Sequence, residues 1–245
     1  MKQKHFAISK VSLYHYFKLF LRSVFFLGAA ALYTVARSEK QAEPFGGRGA
    51  IFFALIWLSY IAEMISRFFP SKLESPGCQK QFSRNYQPTE APVPQSGSPK
   101  RTFAVAAAWL ALNGLIGILY ALSFIDAGIL VLISLAYGVC DMICILFFCP
   151  FQTWFLKNRC CVTCRIYNWD FAMMFTPFLF TPHWYTYTLL ALSLVLLLVW
   201  ELSLHRHPER FSTKTNAYIS CANCTEKLCK HKKQLRAFLK KRKKK

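Results

Sequence analysis

Apolar residues in this chain come in long blocks, separated by short charged or proline-rich stretches. Leu189–Trp200 is the clearest, with Ser193 its one polar side chain. Blocks of this kind suit hydrocarbon better than a soluble core. The basic lead-in Lys2 to Arg22 runs into apolar Ser23 to Ala36, which predicts a first membrane span at about Tyr16 to Ala36. A cleaved signal peptide ending near Ala36 is the competing reading. Lys18 and Arg22 inside the apolar stretch, and Thr34 where a small residue is expected, favour a retained anchor.

The second predicted span is about Ala50 to Phe69, ended by Pro70; residues 1–69 form the first unit. From Pro70 to Thr102 the chain is rich in Pro, Ser and Gln with no apolar period, which predicts a flexible loop. Spans three and four follow as a hairpin, Phe103 to Phe124 and Gly128 to Phe148, turning at Ile125-Asp126-Ala127. One helix from Ile166 to Leu204 would run ~58 Å, well beyond a ~30 Å hydrocarbon core. Pro177 and Pro182 also argue for a break. The pattern therefore predicts a short fifth span, Ile166 to Thr181, and a sixth, Trp184 to Leu204. The expected fold class is an all-α, polytopic membrane bundle of about six helices. Its third unit is 103–204, with a Cys-rich loop at 149–165, and a basic tail covers 205–245.

Composition agrees. Among 245 residues, 54% are apolar and 17% charged, and mean hydropathy is +0.27. The net charge of +20 would suit nucleic acid, but ten of the 31 Lys and Arg lie in Lys230 to Lys245, and most others flank apolar blocks. Basic flanks orient spans with that side in the cytoplasm. An even number of crossings places both termini, the Pro-rich loop and the 149–165 loop there, so six are expected. The expected setting is a bacterial cytoplasmic membrane, with the bilayer as partner, no nucleic acid, and anionic lipid held by the tail.

Ten cysteines are many for such a chain. Cys161-Val-Thr-Cys164, with Cys160 beside it, and Cys221-Ala-Asn-Cys224, with Cys229 and His231 following, have the spacing of metal-ligand pairs. Together Cys160, Cys161, Cys164, Cys221, Cys224, Cys229 and His231 form the candidate site for zinc or an iron–sulfur cluster. The last four also suffice for a local zinc knot. Thiol–disulfide chemistry at Cys161 and Cys164 is the alternative. Cys140 and Cys144, inside span four, read as small packing residues.

Ionisable groups in spans are costly and need partners. Glu63 and Arg67, four apart, are expected to pair with each other; Asp141 adjoins Cys140; Arg22, Asp170 and Glu201 complete the set. Glu63 and Asp141 as ion or proton ligands would make a small transporter, the second alternative. Asn113 is expected to hydrogen-bond between helices and His183 to sit at the outer interface, while His205 and His207, at the inner end of the sixth span, are only secondary candidates for the metal site. No phosphate loop, His-Glu-x-x-His, dinucleotide fingerprint or Gly-x-Ser-x-Gly is present, so no enzyme class is indicated.

Overall fold

The computed structural model describes residues 9–38, 49–70, 76–92, 99–156, 163–223 and 228–242. Among these the regular elements are all helical, joined by turns and irregular stretches, with an isolated β-bridge between Pro88 and Asn216. Its α-helices are α1 (Lys10–Ser38), α2 (Ala50–Ser66), α3 (Pro76–Gln81), α4 (Pro99–Ala121), α5 (Ala127–Leu146), α6 (Asp170–Met174), α7 (Trp184–Arg206) and α8 (Leu228–Arg242). Four are long and apolar enough to cross a membrane: α1, α4 (over Lys100–Ala121), α5 and α7; α2 is apolar but shorter.

The helix faces are those of a membrane protein. On α1, Ser12, His15, Lys18, Arg22, Phe25 and Ala29 are buried. Their three- and four-residue spacing places them on one side. Leu13, Phe17, Phe20, Val24 and Leu27 form the opposite, exposed stripe. The N-terminal half of the buried stripe is polar and the exposed stripe is apolar, the reverse of a soluble helix. On α7, Leu194, Val195, Leu198, Val199 and Leu202 are likewise exposed. Exposed apolar area on this scale calls for lipid.

α1 packs antiparallel on α5. At one end Asp126 caps α5, accepting from the Ile129 amide at 2.9 Å, and takes the Tyr33 hydroxyl at 2.8 Å. At the other, Tyr16 meets Phe147 edge-on. A turn joins α4 to α5 as expected, but it runs over 122–126, with Ser123 at φ 61°, and Ala127 already opens α5. Gly128 allows the approach, because a Cβ there would stand 2.5 Å from the Tyr33 ring.

Three expectations are corrected. Ile166 to Thr181 is not a continuous helical span but a broken one: a 3-10 turn at Arg165–Trp169, the short α6, then a second 3-10 turn at Thr176–Phe180. Ile166, Tyr167, Phe171, Met174, Phe175 and Phe178 are all buried, so this segment fills the centre of the bundle rather than facing lipid. Irregular backbone is tolerated at membrane depth when protein surrounds it. Next, α2 ends at Ser66 and passes into a turn before Phe69. Finally, part of the Pro-rich loop is docked: the Gln81 side chain bonds Asn168 at 2.9 Å, and Asn216 donates to the Lys80 carbonyl at 3.1 Å.

Candidate functional site

Where α1, α2, α5 and α6 meet, six ionisable side chains form a buried network. Arg22, 1% exposed, donates to Glu63 at 2.8 Å, to Asp141 at 3.0 Å and to the Gly138 carbonyl at 3.0 Å. Lys18 adds a second cation to Glu63 at 3.5 Å. Arg67 donates to Asp170 at 2.6 Å. The guanidinium groups of Arg22 and Arg67 also lie against the Phe171 ring, and Arg22 against Tyr60. Three cations thus face three carboxylates, which is what burial in a low-dielectric interior requires. The expected Glu63–Arg67 pairing is replaced by partners from α1 and α6. A sequence spacing of four reports neighbours on one helix, but α1 brings a longer-reaching guanidinium to the same carboxylate. His15 is buried beside this network, and among the described residues neither ring nitrogen has a hydrogen-bond partner.

Asp141 and Asp170 also line a cavity of about 270 Å³ between α4, α5 and the broken segment. Cys140, Cys144 and Ile145 contribute its α5 wall, and Trp109 of α4 lies opposite. Cys164, Ile166, Tyr167, Met173 and Met174 come from the broken segment. Cys149, Phe151 and Gln152 close one end, where the chain makes a single π-helical turn at Phe151–Phe155. Trp109 is held by donation to the Thr176 hydroxyl at 3.2 Å, and its ring lies 4.6 Å from that of Tyr137. Four thiols and two thioethers therefore meet in one mostly apolar pocket.

Cys149 has the most distinctive surroundings. The backbone N–H of Gln152 donates to its sulfur at 3.4 Å, and Cys144 and the Phe151 backbone lie close enough to favour its ionised form. Lys232 of α8 adds a nearby positive charge, and its ammonium donates to the Cys144 carbonyl at 2.9 Å. Hydrogen bonding from Cys144 is the largest of these influences, and together they outweigh burial and hold the Cys149 pKa down at about 7. A thiol there is half ionised near neutrality, and thiolate is the reactive form.

The residues proposed from sequence as metal ligands are only partly brought together. Cys160, Cys161 and Cys224 lie outside the described residues. Cys164 is buried in the cavity, while Cys221 and Cys229 are exposed. His231 is buried, and its Nε2 meets the Tyr16 hydroxyl at 2.7 Å. Leu228, at the start of α8, joins the same apolar cluster as Cys164, so the tail helix does return to the cysteine end of α5. Among the described residues, no three His, Cys, Asp or Glu side chains are placed to hold a metal ion. Of the remaining candidates, Asn113 donates to the Trp109 carbonyl of its own helix at 3.0 Å rather than across helices. His183 caps α7 by accepting from Tyr185 at 3.3 Å, His207 meets Glu209 at 3.2 Å, and His205 is exposed. Glu201 binds Arg165 and Trp169.

Cys140 and Cys144 were legible from sequence only as packing residues, and Cys149 only as the first residue of the 149–165 loop. The available signal was the four-residue spacing of Cys140 and Cys144 around Asp141, which sets thiols and a carboxylate near one helix face. No protein-family model, curated protein or solved structure matches this chain.

Proposed function

We propose that this is a multi-pass membrane protein whose working site is the dithiol Cys144–Cys149, cycling between two thiols and a disulfide. In this reading Cys149 is the attacking sulfur and Cys144 the resolving one. What carries it is the placement of Cys144 and Cys149 on the wall of one cavity, with the Gln152 N–H donating to the Cys149 sulfur and Cys144 and Lys232 favouring its thiolate. A thiolate poised near ambient pH is the effective nucleophile in exchange. In the proposed topology the chain crosses six times, counting α2 and the broken segment, with both termini and the dithiol at the cytoplasmic face. Outward lysines of the tail meet anionic lipid there.

The reaction is tested on the full chain in lipid nanodiscs. Hydroxyethyl disulfide is added, and the remaining thiols are counted by mass after alkylation. The expected product lacks two alkylatable thiols and yields a peptide joining Cys144 to Cys149. Cys149→Ser should abolish that peptide. Oxidation confined to other cysteines would remove the proposal.

A second reading is favoured by the return of α8 to the Cys164 end. Cys160, Cys161 and Cys164 with Cys221, Cys224, Cys229 and His231 would then hold zinc or an iron–sulfur centre in a structural role. Stoichiometric metal in purified protein, lost in Cys224→Ser, supports it; a metal-free chain of unchanged stability excludes it. The transporter reading is weakened by the ion pairs that already engage Glu63 and Asp141.

A further inference from the structure

The dithiol reading leaves open where the two electrons go. From the cavity we infer that they pass to a lipid-soluble, quinone-class ring bound between Trp109 and the sulfur-bearing wall of α5. This inference rests on the dithiol reading and adds its co-substrate.

Three observations lead to a ring rather than an ion or a peptide. The first is size: about 270 Å³ is nearly twice the ~150 Å³ that accepts benzene in an engineered cavity, enough for a substituted six-membered ring. The second is the wall. Trp109 is fixed by Thr176 and sits against Tyr137 and Phe151, offering ring faces and edges for stacking, while Met174 supplies a polarisable thioether. The third is access. Cys140 lines the cavity and is itself exposed, on a helix that is apolar enough to cross a membrane. On the neighbouring α4, Phe103 and Leu110 are exposed as well. The mouth therefore opens on the apolar girdle, where a hydrophobic ring dissolves and a charged peptide does not.

The step balances as follows. The Cys149 thiolate adds to a ring carbon, forming a C–S bond, and the displaced electron pair moves to a ring oxygen, which takes a proton. Cys144 then loses its proton to the second ring oxygen, and its sulfur attacks the Cys149 sulfur. The S–S bond forms, the C–S bond breaks, and its pair stays on the ring. Thiol, thiolate, quinone and one solvent proton give disulfide and quinol. The two sulfurs lose two electrons and the ring gains two.

The test uses the reduced full chain in nanodiscs, without oxygen. Its probe is a decyl-substituted dimethoxy-methyl-benzoquinone, whose fully substituted ring resists permanent thiol addition. One quinol per Cys144–Cys149 disulfide is expected, read by ultraviolet absorbance and peptide mass. Trp109→Ala should raise the half-saturating quinone concentration about tenfold, the scale of one lost ring contact. Trp109→Phe should restore most of it, and Leu194→Ala, on the exposed face of α7 away from the cavity, should leave it unchanged. If Trp109→Ala does not give monodisperse protein, Tyr137→Leu takes its place. A disulfide formed by hydroxyethyl disulfide but not by the quinone overturns the ring assignment and leaves the dithiol reading standing. So does quinol yield that persists in Cys149→Ser, or a half-saturation unmoved by the Trp109 variant. Failure of hydroxyethyl disulfide to join Cys144 and Cys149 overturns both.

Discussion

Replacing Arg22 by methionine should be the most destabilising single change in the bundle. Methionine preserves most of the side-chain bulk but removes a cation that faces two carboxylates, at 2.8 Å and 3.0 Å, and donates to the Gly138 carbonyl. Glu63 retains Lys18 at 3.5 Å, so its charge stays partly compensated. Asp141 loses the one ion pair found for it among the described residues. Removing one partner of a buried pair costs about 3–5 kcal/mol, because the other charge stays behind without compensation. Equilibrium unfolding in mixed detergent–lipid micelles, followed by tryptophan fluorescence, reads this loss directly. Neutralising Asp141 as well, in Arg22→Met with Asp141→Asn, should recover about half of it, since no bare carboxylate is then buried. A loss under about 1 kcal/mol for Arg22→Met, or no recovery in the double variant, would refute the account of the network as mutually compensating charge.

Glu201→Gln, which touches the half-exposed Arg165–Glu201 pair, should cost only about 0–1 kcal/mol in the same assay, as partly solvated pairs do. Gly138→Ala should cost about 1–3 kcal/mol, since its Cβ would fall 2.7 Å from the Tyr60 hydroxyl and 3.2 Å from the Met174 sulfur. Gly114→Ala, which meets nothing within 4 Å, should be neutral or stabilising by about 0.4–1 kcal/mol. Alkylation of Cys149 by iodoacetamide should rise with pH around a midpoint near 7, because its thiolate is favoured in the fold. Cys144→Ala should move that midpoint upward by removing the largest stabilising influence, and Lys232→Met should move it in the same direction by less; an unchanged midpoint in Cys144→Ala would contradict the contact. In right-side-out and inverted vesicles, an impermeant maleimide should label Cys221 and Cys229 from the same side.

What the sequence by itself determined is what depends on short range and on solvent. The blocks around Ser23–Ala36, Phe103–Phe124 and Leu189–Trp200 are apolar whatever they pack against, so α1, α4 and α7 were readable from them. Asp126 between two such blocks announced a turn, because a short carboxylate caps the following helix wherever it lies. Pro177 and Pro182 likewise announced that no single helix runs through 166–204. Only the tertiary structure decided which faces look at lipid and which at protein. In a soluble helix polarity marks the outside, whereas here lipid is as apolar as the core and the same residue types serve both. That is why Cys140 and Cys144 read as packing until Trp109, Met174 and the broken segment enclosed the space in front of them. It is also why Glu63 and Arg67 read as a pair until α1 and α6 supplied Arg22 and Asp170. The segment Ile166–Thr181 could give up helical regularity because neighbouring helices, rather than hydrocarbon, surround its backbone.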